Sequence, residues 1–346
     1  MTMFVGLDVS LRQTAFCVVD DTGATVAEGS TLSDPDSLAT KLAGWREQIA
    51  LVGIEACPLS EWIHGGLVGA GFDVRCLETR HAQRFLSTRP NKTDRNDARG
   101  IAAMMRLGHY KAVHVKSRAA QFQRAILVGR GQLMSTMLQI ENTIRGLMRV
   151  QGLKLGKVHR NRYAERVLEL CRREPALLTA IEPLLDARST MRAQMVRLDR
   201  ALTRTIREDA TCRLLMTVPG VGPITALAFK ATIDDPTRFR SSKAVAAHLG
   251  LTPRIYQSGE IDRSGHISKC GDKVMRYLLT EAAVAMLLRS RKWSALKAWG
   301  TQLAKKVGMS KAIIAVARKL AIVMHAMWLS GEPFRFGVAE AAPNTP

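Results

Sequence analysis

The fold of this chain is decided by MFVGLDVS (residues 3–10), TAFCVVDD (14–21) and ATVAEGST (24–31), three apolar runs that follow one another closely. Runs of this length and composition are typical of β-strands. The turn sequence DDTG (20–23) joins the second run to the third, which predicts an antiparallel hairpin. Because another strand, and not a glycine-rich turn with a helix, follows the first run, the sequence disfavours a dinucleotide-binding domain.

The next elements alternate between helix and strand. SLATKLAGWREQIA (37–50) has apolar residues at helical spacing, and LVGIEA (51–56) has the pattern of a short buried strand. WIHGGLVGAG (62–71) then predicts a helix, and FDVRCLE (72–78) predicts another strand. The order β-β-β-α-β-α-β predicts an α/β domain of the RNase H-like type, with a mixed sheet that has helices on its faces.

The charge of the chain is large and unevenly distributed. Its 346 residues include 51 Lys and Arg against 30 Asp and Glu, a formal net charge of +21. Residues 1–100 carry 10 basic and 13 acidic residues, a net of −3, and residues 101–346 carry 41 and 17, a net of +24. A basic surface of this size favours binding to nucleic acid through its phosphates. The alternative is a solvated surface that only aids solubility.

The composition also excludes several classes of protein. The longest unbroken apolar stretch falls far short of about 20 residues, so we expect no membrane-spanning segment and no membrane partner. The N-terminus lacks the features of a secretory signal. The six cysteines are scattered without zinc-finger spacing, which fits a reducing compartment and argues against structural zinc.

Long helices are predicted for the middle of the chain. Residues 117–150 keep apolar residues at three- and four-residue intervals, and 164–208 contains two further helical runs. Such helices form bundles or coiled-coil dimer surfaces more often than active sites. We therefore expect an α/β catalytic domain at 1–116, a helical arm at 117–208, a mostly helical C-terminal domain at 209–335 and a disordered tail at 336–346.

The C-terminal part contains a glycine-rich turn, Pro219-Gly220-Val221-Gly222, between two helical runs. The pattern is typical of a helix-hairpin-helix, in which Gly220 and Gly222 let backbone N–H groups approach a phosphate. An ordinary turn between helices is the alternative. The loop-rich segment 251–273 follows, and after it we expect helices at 273–290 and 295–330.

Four acidic residues of the first domain occupy positions at which a charge is unexpected, because burial of a charge is costly and carboxylates that share a helix face repel one another. Asp8 lies within the first strand, Glu55 ends a buried strand, and Asp94 and Asp97 share one face at the start of a helix. Strands one and four are neighbours on an RNase H-like sheet, so we expect the four carboxylates to converge. Such a cluster needs cations to stay ionised, and oxygen ligands select Mg²⁺ or Mn²⁺. Two such ions can brace the attacking and leaving oxygens of a phosphoryl transfer.

These residues also have ordinary explanations. Asp94 can be a helix N-cap, and Asp8 can be a charge on an edge strand. Lys92 and Arg95, next to the acids, suit a scissile phosphate but equally suit an exposed surface.

Together, these motifs resemble one known family along nearly the whole chain. The similarity lies in GLDVS, IEA, NKTDRNDA (91–98), VPGVG, AAHLGLTPRIYQSGE (246–260) and GHISKCGDKVMRYLL (265–279). The family is that of the DEDD transposases of insertion sequences, the group numbered one-hundred-and-ten, akin to pilin-inverting site-specific recombinases. The chain departs from the family pattern after Glu55, where it reads ACPLS.

The resemblance implies functional residues and partners. It implies a RuvC-like first domain whose DEDD tetrad is Asp8, Glu55, Asp94 and Asp97, and a serine nucleophile at Ser258 in the C-terminal domain. It also implies donor and target DNA as substrates, and a structured non-coding guide RNA that pairs with both. A bacterial protein that works in the cytoplasm at the nucleoid is expected.

The surroundings of Ser258 fit this role without deciding it. The serine lies in a glycine-flanked loop, where a phosphate can approach closely and cations can stabilise the charge of a pentavalent phosphorus. A serine beside a glycine is usually a turn residue, and Ser264 and Ser268 are rivals in the same loop. The nearby cations are Arg254, Arg263, Lys269 and Lys273.

We therefore predict an RNA-guided DNA transposase that cuts and rejoins DNA through a phosphoserine intermediate. We expect it to act as a homo-oligomer, a dimer or tetramer, held together by the arm. One alternative is a structure-specific nuclease of the Holliday-resolvase kind, in which a metal-activated water attacks and Ser258 is structural. Another is a protein that binds nucleic acid without cutting it. Only the transposase is expected to form a covalent adduct with DNA.

Overall fold

The computed structural model describes residues 1–87, 91–259 and 261–337, without the side chains of Ile261 and Ser264. Within this part the chain forms two compact units, Met1–Lys116 and the residues from Ser117 onward. The first unit is mixed α/β with a sheet, and the second is mainly helical. These features confirm the predicted class of each part. The division of the second unit into an arm and a C-terminal domain stays a prediction.

A mixed β-sheet forms the centre of the first unit. Its strands are β1 (Met3–Val9), β2 (Gln13–Asp20), β3 (Thr25–Leu32), β4 (Ile49–Glu55) and β5 (Val74–Leu77). The strand order is β3-β2-β1-β4-β5, in which β1 pairs antiparallel with β2 and parallel with β4. Strand β1 is therefore central, and its C-terminal end lies beside that of β4.

Helices connect the strands and cover the sheet. They are α1 (Pro35–Leu42), α2 (Ser60–Gly69), α3 (Thr79–Leu86) and α4 (Asp94–Leu107). The predicted helix at 37–50 is too long, because α1 is followed by a 3-10 turn and β4 begins at Ile49. The sequence pattern does not predict α3, which is capped by Glu78 through a hydrogen bond from the N–H of His81.

Helix α4 lies directly on the sheet at two glycines. Gly6 and Gly53 are register partners across β1 and β4. A Cβ atom on Gly6 would lie 2.1 Å from the carbonyl oxygen of Ala98, and one on Gly53 would lie 2.7 Å from the side chain of Met105. Because a side chain at either position would push the helix away, these glycines set how closely α4 approaches the sheet.

The second unit consists mainly of helices with one β-hairpin. Its elements are α5 (Arg118–Val150), α6 (Tyr163–Cys171), α7 (Pro175–Glu208), α8 (Ala210–Leu215), α9 (Pro223–Ile233), α10 (Ser242–His248), β6 (Pro253–Ser258), β7 (Ile261–Ile267), α11 (Lys273–Val284), α12 (Ala295–Val307) and α13 (Met309–Ser330). The segment 251–273, predicted as loop-rich, contains the hairpin β6–β7. Every residue of β6 is exposed. The strand therefore lacks the alternation of apolar and polar residues by which a half-buried strand is recognised in a sequence. The predicted helix at 295–330 is broken at Gly308, whose φ is +86°.

Two apolar cores hold the second unit. The larger lies among α8–α13 and includes Phe229. The smaller lies where the C-terminal part of α5 meets α6 and the first turns of α7, and it includes Ile144. Beside it, the buried guanidinium of Arg188 donates a hydrogen bond to Glu141 at 2.7 Å and lies 4.4 Å from the ring of Tyr163. The end of the α5–α7 pair therefore has an apolar core that is separate from the larger one.

Helix α13 is long and apolar enough to cross a membrane by length and composition alone. However, 44% of its most apolar window is buried inside the protein, and it packs against α10, α11 and α12. Burial of this kind is expected of the core helix of a folded domain. Most of the predicted disordered tail, 336–346, lies outside the described residues.

Replacing Gly6 with alanine tests the contact between α4 and the sheet. The new Cβ atom would overlap the backbone of Ala98 and Ala102, so we expect the free energy of unfolding to fall by about 1–3 kcal/mol. Gly65→Ala in α2 is the control, because a Cβ atom there meets nothing within 4 Å and alanine favours a helix. Urea unfolding measures both variants. An unchanged midpoint for Gly6→Ala would contradict the close packing.

Candidate active site

Two acidic side chains lie at the C-terminal ends of the central strands. Asp8 follows Gly6 by two residues on β1, and Glu55 follows Gly53 by two residues on β4. Because side chains alternate along a strand, both carboxylates lie on the sheet face that α4 covers. The two glycines are register partners, so Asp8 and Glu55 lie side by side on neighbouring strands.

The first turn of α4 brings two more acids to this edge of the sheet. Thr93 caps the helix by accepting a backbone hydrogen bond at 3.2 Å, and Asp94 is the first helical residue. Asp97 follows three residues later, so the two carboxylates share one helix face. Ala98, which contacts Gly6, continues this face toward the sheet. The contact that holds α4 against β1 therefore also directs its first turn toward Asp8.

The structure overturns two of the ordinary explanations. Thr93 and not Asp94 is the N-cap of α4, so capping does not account for Asp94. Asp8 lies on a central strand, so it is not a charge on an edge strand. A carboxylate on a central strand under a helix is costly to fold.

Two of the four carboxylates, those of Asp8 and Glu55, have raised pKa values. Burial, together with the charges of Asp94 and Asp97, raises the pKa of Asp8 from 3.8 to about 6. Burial and the charges of Asp8 and Asp97 raise the pKa of Glu55, and Lys92 acts in the opposite direction on both residues. Asp97 therefore lies within electrostatic reach of both Asp8 and Glu55, and Asp94 lies within reach of Asp8. Protonation or a bound cation would relieve their repulsion.

The donors at this edge fit a hard divalent cation by their chemistry. Carboxylate oxygens are the ligands that Mg²⁺ and Mn²⁺ prefer, and the raised pKa of Asp8 indicates negative charge that is not fully balanced. Among the residues that the structure describes, however, no three Asp, Glu, His or Cys side chains stand close enough together to hold a metal ion. The described carboxylates at this edge therefore do not form a cluster of metal ligands.

The two basic residues predicted beside the acids have different surroundings. Lys92 lies near enough to the acids of both strands to lower their pKa values. Arg95 instead pairs with Glu28 of β3, and Arg99 donates to the same carboxylate at 2.7 and 2.9 Å. These pairs anchor α4 to β3. Glu28 could not be recognised from the sequence, because its partners lie about seventy residues further along the chain and no local pattern signals them.

Ser258 lies at the tip of the hairpin β6–β7. It ends β6 and is exposed, and the following Gly259 has a φ of +55°, which suits a tight turn. Arg263 belongs to the paired strand β7, and Arg254 donates a hydrogen bond to the carbonyl oxygen of Ser268 at 3.1 Å. The serine and two of its predicted cations are therefore carried by one exposed element.

The base of this hairpin is held by close backbone packing. A Cβ atom on Gly250 would lie 2.1 Å from a backbone carbonyl oxygen of the opposite segment. Lys269 lies in that segment with a φ of +56°, and Lys273 begins α11. The rival Ser268 is tied to the base through its backbone N–H. The side chain of the rival Ser264 lies outside the described part of the chain.

The two glycines of the PGVG turn serve different purposes. Gly220 has a φ of +88°, and a Cβ atom there would lie 2.3 Å from the carbonyl oxygen of Ala282 in α11. Packing between helices therefore explains this glycine, as the ordinary-turn alternative expects. Gly222 precedes α9, and a Cβ atom there would meet nothing within 4 Å. Packing therefore does not require a glycine at this position.

Acids at the ends of adjacent strands, in a chain with a strongly basic second unit, are typical of enzymes that act on the phosphodiester bonds of nucleic acids. Family comparisons agree with this class. Residues 5–150 match the transposase family of the DEDD, IS110 type. Residues 212–298 match the transposase IS116/IS110/IS902 family.

Individual relatives point the same way. The transposase for insertion sequence element IS1111A of Coxiella burnetii is 27% identical over 96% of this chain and 91% of its own length. A probable family 20 transposase of Pseudomonas aeruginosa is 30% identical over 80% of this chain and 83% of its own. The pilin gene-inverting protein of Moraxella lacunata is 32% identical over 35% of this chain and 38% of its own. The chain belongs to the IS116/IS110/IS902 family of transposases, which confirms the resemblance.

Asp8→Asn tests the repulsion at this edge in metal-free buffer. The fold raises the pKa of Asp8 from 3.8 to about 6, so between these values the folded state binds more protons than the unfolded state. The contribution of Asp8 to the free energy of unfolding therefore falls as pH rises through this interval and stays low above it. Asparagine is neutral throughout. The thermal midpoint of Asp8→Asn should thus rise relative to that of the natural protein as pH goes from about 4 to about 7.

Asp21→Asn is the matched control, because Asp21 is an exposed acid in the β2–β3 turn. Its midpoint difference from the natural protein should stay constant over the same pH range. Added Mg²⁺ should raise the midpoint of the natural protein more than that of Asp8→Asn. A difference for Asp8→Asn that does not depend on pH would contradict the electrostatic account.

Proposed function

We propose that this protein is a DNA transposase that cuts and rejoins the strands of an insertion sequence. The observation that carries the proposal is the edge of the sheet at which burial and the charges of neighbouring acids, Asp94 and Asp97 among them, raise the pKa values of Asp8 and Glu55. Membership of the transposase family supports DNA as the substrate. Two proteins to which the chain is similar over most of its length are named as transposases.

The first unit is proposed to be an RNase H-like domain of the RuvC kind. Three antiparallel strands, followed by two strands parallel to the first, support this through the order β3-β2-β1-β4-β5. Helix α4, which crosses the central strands and carries two acids, supports it as well. A helix-hairpin-helix in the second unit is supported by the open backbone at Gly222.

Mg²⁺ or Mn²⁺ is the proposed cofactor, and Asp8, Glu55, Asp94 and Asp97 are the residues that would hold it. The support is the carboxylate chemistry of the donors and the raised pKa values of Asp8 and Glu55. When bound, such an ion stabilises negative charge on phosphoryl oxygens. Lys92, whose charge already reaches Asp8 and Glu55, would bind an oxygen of the scissile phosphate.

Ser258 is the proposed nucleophile. Its hydroxyl oxygen would form a bond to phosphorus while the bond from phosphorus to one deoxyribose oxygen breaks. The serine hydroxyl gives up a proton, and the departing oxygen takes one up. Rejoining reverses these changes with an oxygen of another strand, so the phosphodiester bond energy is kept and no ATP is needed. The exposure of Ser258 at a hairpin tip supports this role, with Arg254, Arg263, Lys269 and Lys273 as proposed phosphate contacts.

A guide RNA is proposed as a further partner. The net charge of +24 beyond residue 100 offers more cations than a short DNA site uses, and the family resemblance supplies the partner. The relatives come from bacteria, so we place the protein in the cytoplasm at the nucleoid. Sequencing the nucleic acid that copurifies with the protein tests the RNA. Site-specific recombination that survives RNase treatment would contradict it.

The outward face of α5 supports a homo-oligomer. The charged residues of this helix from Arg124 to Arg145 make contacts within their own unit, as in the pairs Arg124–Asp272 and Arg130–Asp199. The exposed residues of α5 between Arg124 and Arg145 are all uncharged, so this surface is suited to pairing with the same helix of a second copy. Exposed apolar residues of α5 include Phe122, Val128 and Leu138, which are 59%, 60% and 56% exposed.

Asp97→Asn should lower the rate of strand cleavage by about 100-fold or more, because one carboxylate of the metal site is lost. Binding to DNA should change little, because the basic surface is intact. Ser258→Ala should abolish the covalent protein–DNA adduct together with cleavage. Asp21→Asn is the control and should retain both. Labelled DNA, run on native and denaturing gels, measures binding, cleavage and adduct.

Other outcomes point to other functions. Cleavage by Ser258→Ala at the natural rate and without an adduct would indicate a metal-dependent nuclease of the resolvase kind. Intact DNA with the natural protein would indicate a protein that only binds. A natural cleavage rate in Asp97→Asn would remove the carboxylates from the mechanism.

Leu138→Glu should convert the oligomer to smaller species, because a charge on the outer face of α5 would be buried without a partner when two helices pair. Size-exclusion chromatography with light scattering measures the mass. Val68→Glu is the control, since Val68 is an exposed apolar residue of α2, in the other unit. An unchanged mass for Leu138→Glu would contradict an interface on this face.

A further inference from the structure

A segment of the second unit combines cations and tryptophans without any acid. Residues 282–331 contain nine Lys and Arg, no Asp or Glu, and three of the five tryptophans of the chain. The proposed tetrad, nucleophile and hairpin cations include no residue of this segment. A basic surface interleaved with aromatic rings is typical of proteins that bind nucleic acid strands with exposed bases.

Two of these tryptophans are exposed beside lysines. Trp293 is 54% exposed, and the ammonium of Lys297 lies 5.6 Å from its ring centroid. Trp299 is 38% exposed, and the ammonium of Lys319 lies 6.0 Å from its ring centroid. Each ring therefore offers an aromatic surface next to a positive charge. A nucleobase with its attached phosphate needs the same two features from a binding site.

Trp299 also lines a cleft of about 590 Å³ among α12, α13 and the segment that follows α13. Met327 and Phe334 contribute apolar walls, and Phe334 packs edge-on against Phe336 with ring centroids 5.1 Å apart. Lys319 contributes positive charge to the lining, whereas Arg335 is paired with Glu332 at 2.6 Å. The cleft is thus mainly apolar, aromatic on one wall and basic at Lys319, which suits a flat neutral ring with a phosphate attached.

The backbone around Trp293 is firmly held. Lys297 donates a hydrogen bond from its ammonium to the carbonyl oxygen of Ser290 at 2.6 Å. The buried Ser294 caps α12 by accepting from the backbone N–H of Lys297 at 3.2 Å. A π-helical turn, Ala285–Arg289, comes directly before Ser290, and such turns are frequent at functional sites. Trp293 therefore lies on a loop whose backbone is held in place by hydrogen bonds.

We propose that this surface binds the unpaired bases of a single-stranded nucleic acid. One base stacks on Trp299 in the cleft and another on Trp293, while Lys319 and Lys297 contact the adjoining phosphates. Bases of a duplex are stacked on one another and do not offer their faces to tryptophan, so the site selects single strands. This inference goes beyond the proposed function and uses none of the residues that would cut DNA.

Fluorescence anisotropy with labelled oligonucleotides of about 12 residues tests the site on protein freed of nucleic acid. The probes are oligouridine RNA, oligothymidine DNA and a mixed-sequence DNA duplex. Trp299→Ala should weaken binding to both single strands by about 5- to 100-fold and leave duplex binding unchanged. Trp299→Phe should restore most of the affinity, and Lys319→Gln should reduce the dependence of single-strand binding on salt.

Trp62→Ala is the control, because Trp62 is 56% exposed on α2 and belongs to the first unit. It should bind all probes like the natural protein. Single-strand affinity that is unchanged in Trp299→Ala, or duplex affinity that falls equally, would overturn the proposal. Tighter binding of RNA than of DNA, or the reverse, supports the site and identifies which strand it takes. None of these measurements depends on strand cleavage, so a failure of the proposed cleavage leaves this test readable.

Discussion

Helix α4 rests on the central strands through contact between backbones, and the candidate active site depends on this contact. Gly6 and Gly53 lie side by side where the helix crosses, and neither position has room for a Cβ atom. Two residues beyond each glycine, the strand carries a carboxylate on the same face. The helix face that touches Gly6 continues through Ala98 into the turn that carries the other two acids. The spacing of the four acids is therefore a consequence of how closely a helix can approach a sheet.

This arrangement has an electrostatic cost that other contacts offset. Burial and mutual repulsion raise the pKa of Asp8 to about 6 and also raise that of Glu55, so the ionised edge opposes folding at neutral pH. Arg95 and Arg99 draw α4 toward Glu28 on β3, and Ile101 and Met105 bury apolar surface beneath the helix. Contacts along the rest of α4 therefore offset the repulsion among the acids at its first turn.

In the second unit, paired charges and a run of cations without acids lie in different parts of the chain. Along α5, the charged side chains contact partners within the unit, and Arg188 is buried against Glu141 and Tyr163. The outer face of the helix is thereby left uncharged. Further along, residues 282–331 carry cations without acids, so no carboxylate of that segment competes with a polyanion for them. The positive charge of the second unit is therefore unevenly distributed: the outer face of α5 is uncharged, and residues 282–331 carry cations without acids.

The sequence by itself determined the order of the five strands of the first unit and of the helices between them, the long helices of the second unit and the family, because periodicity and motif spacing are local. It also singled out Asp8, Glu55, Asp94 and Asp97 as the acids that need a reason. Only the tertiary structure decided that Thr93 caps α4, that Arg95 pairs with Glu28, that Gly220 is required by α11 and that 253–267 forms a hairpin. Three of these depend on partners far apart in the chain or on exposed strands without a buried pattern. The cap depended on which of two adjacent residues, Thr93 or Asp94, enters the helix first, and local composition favours both.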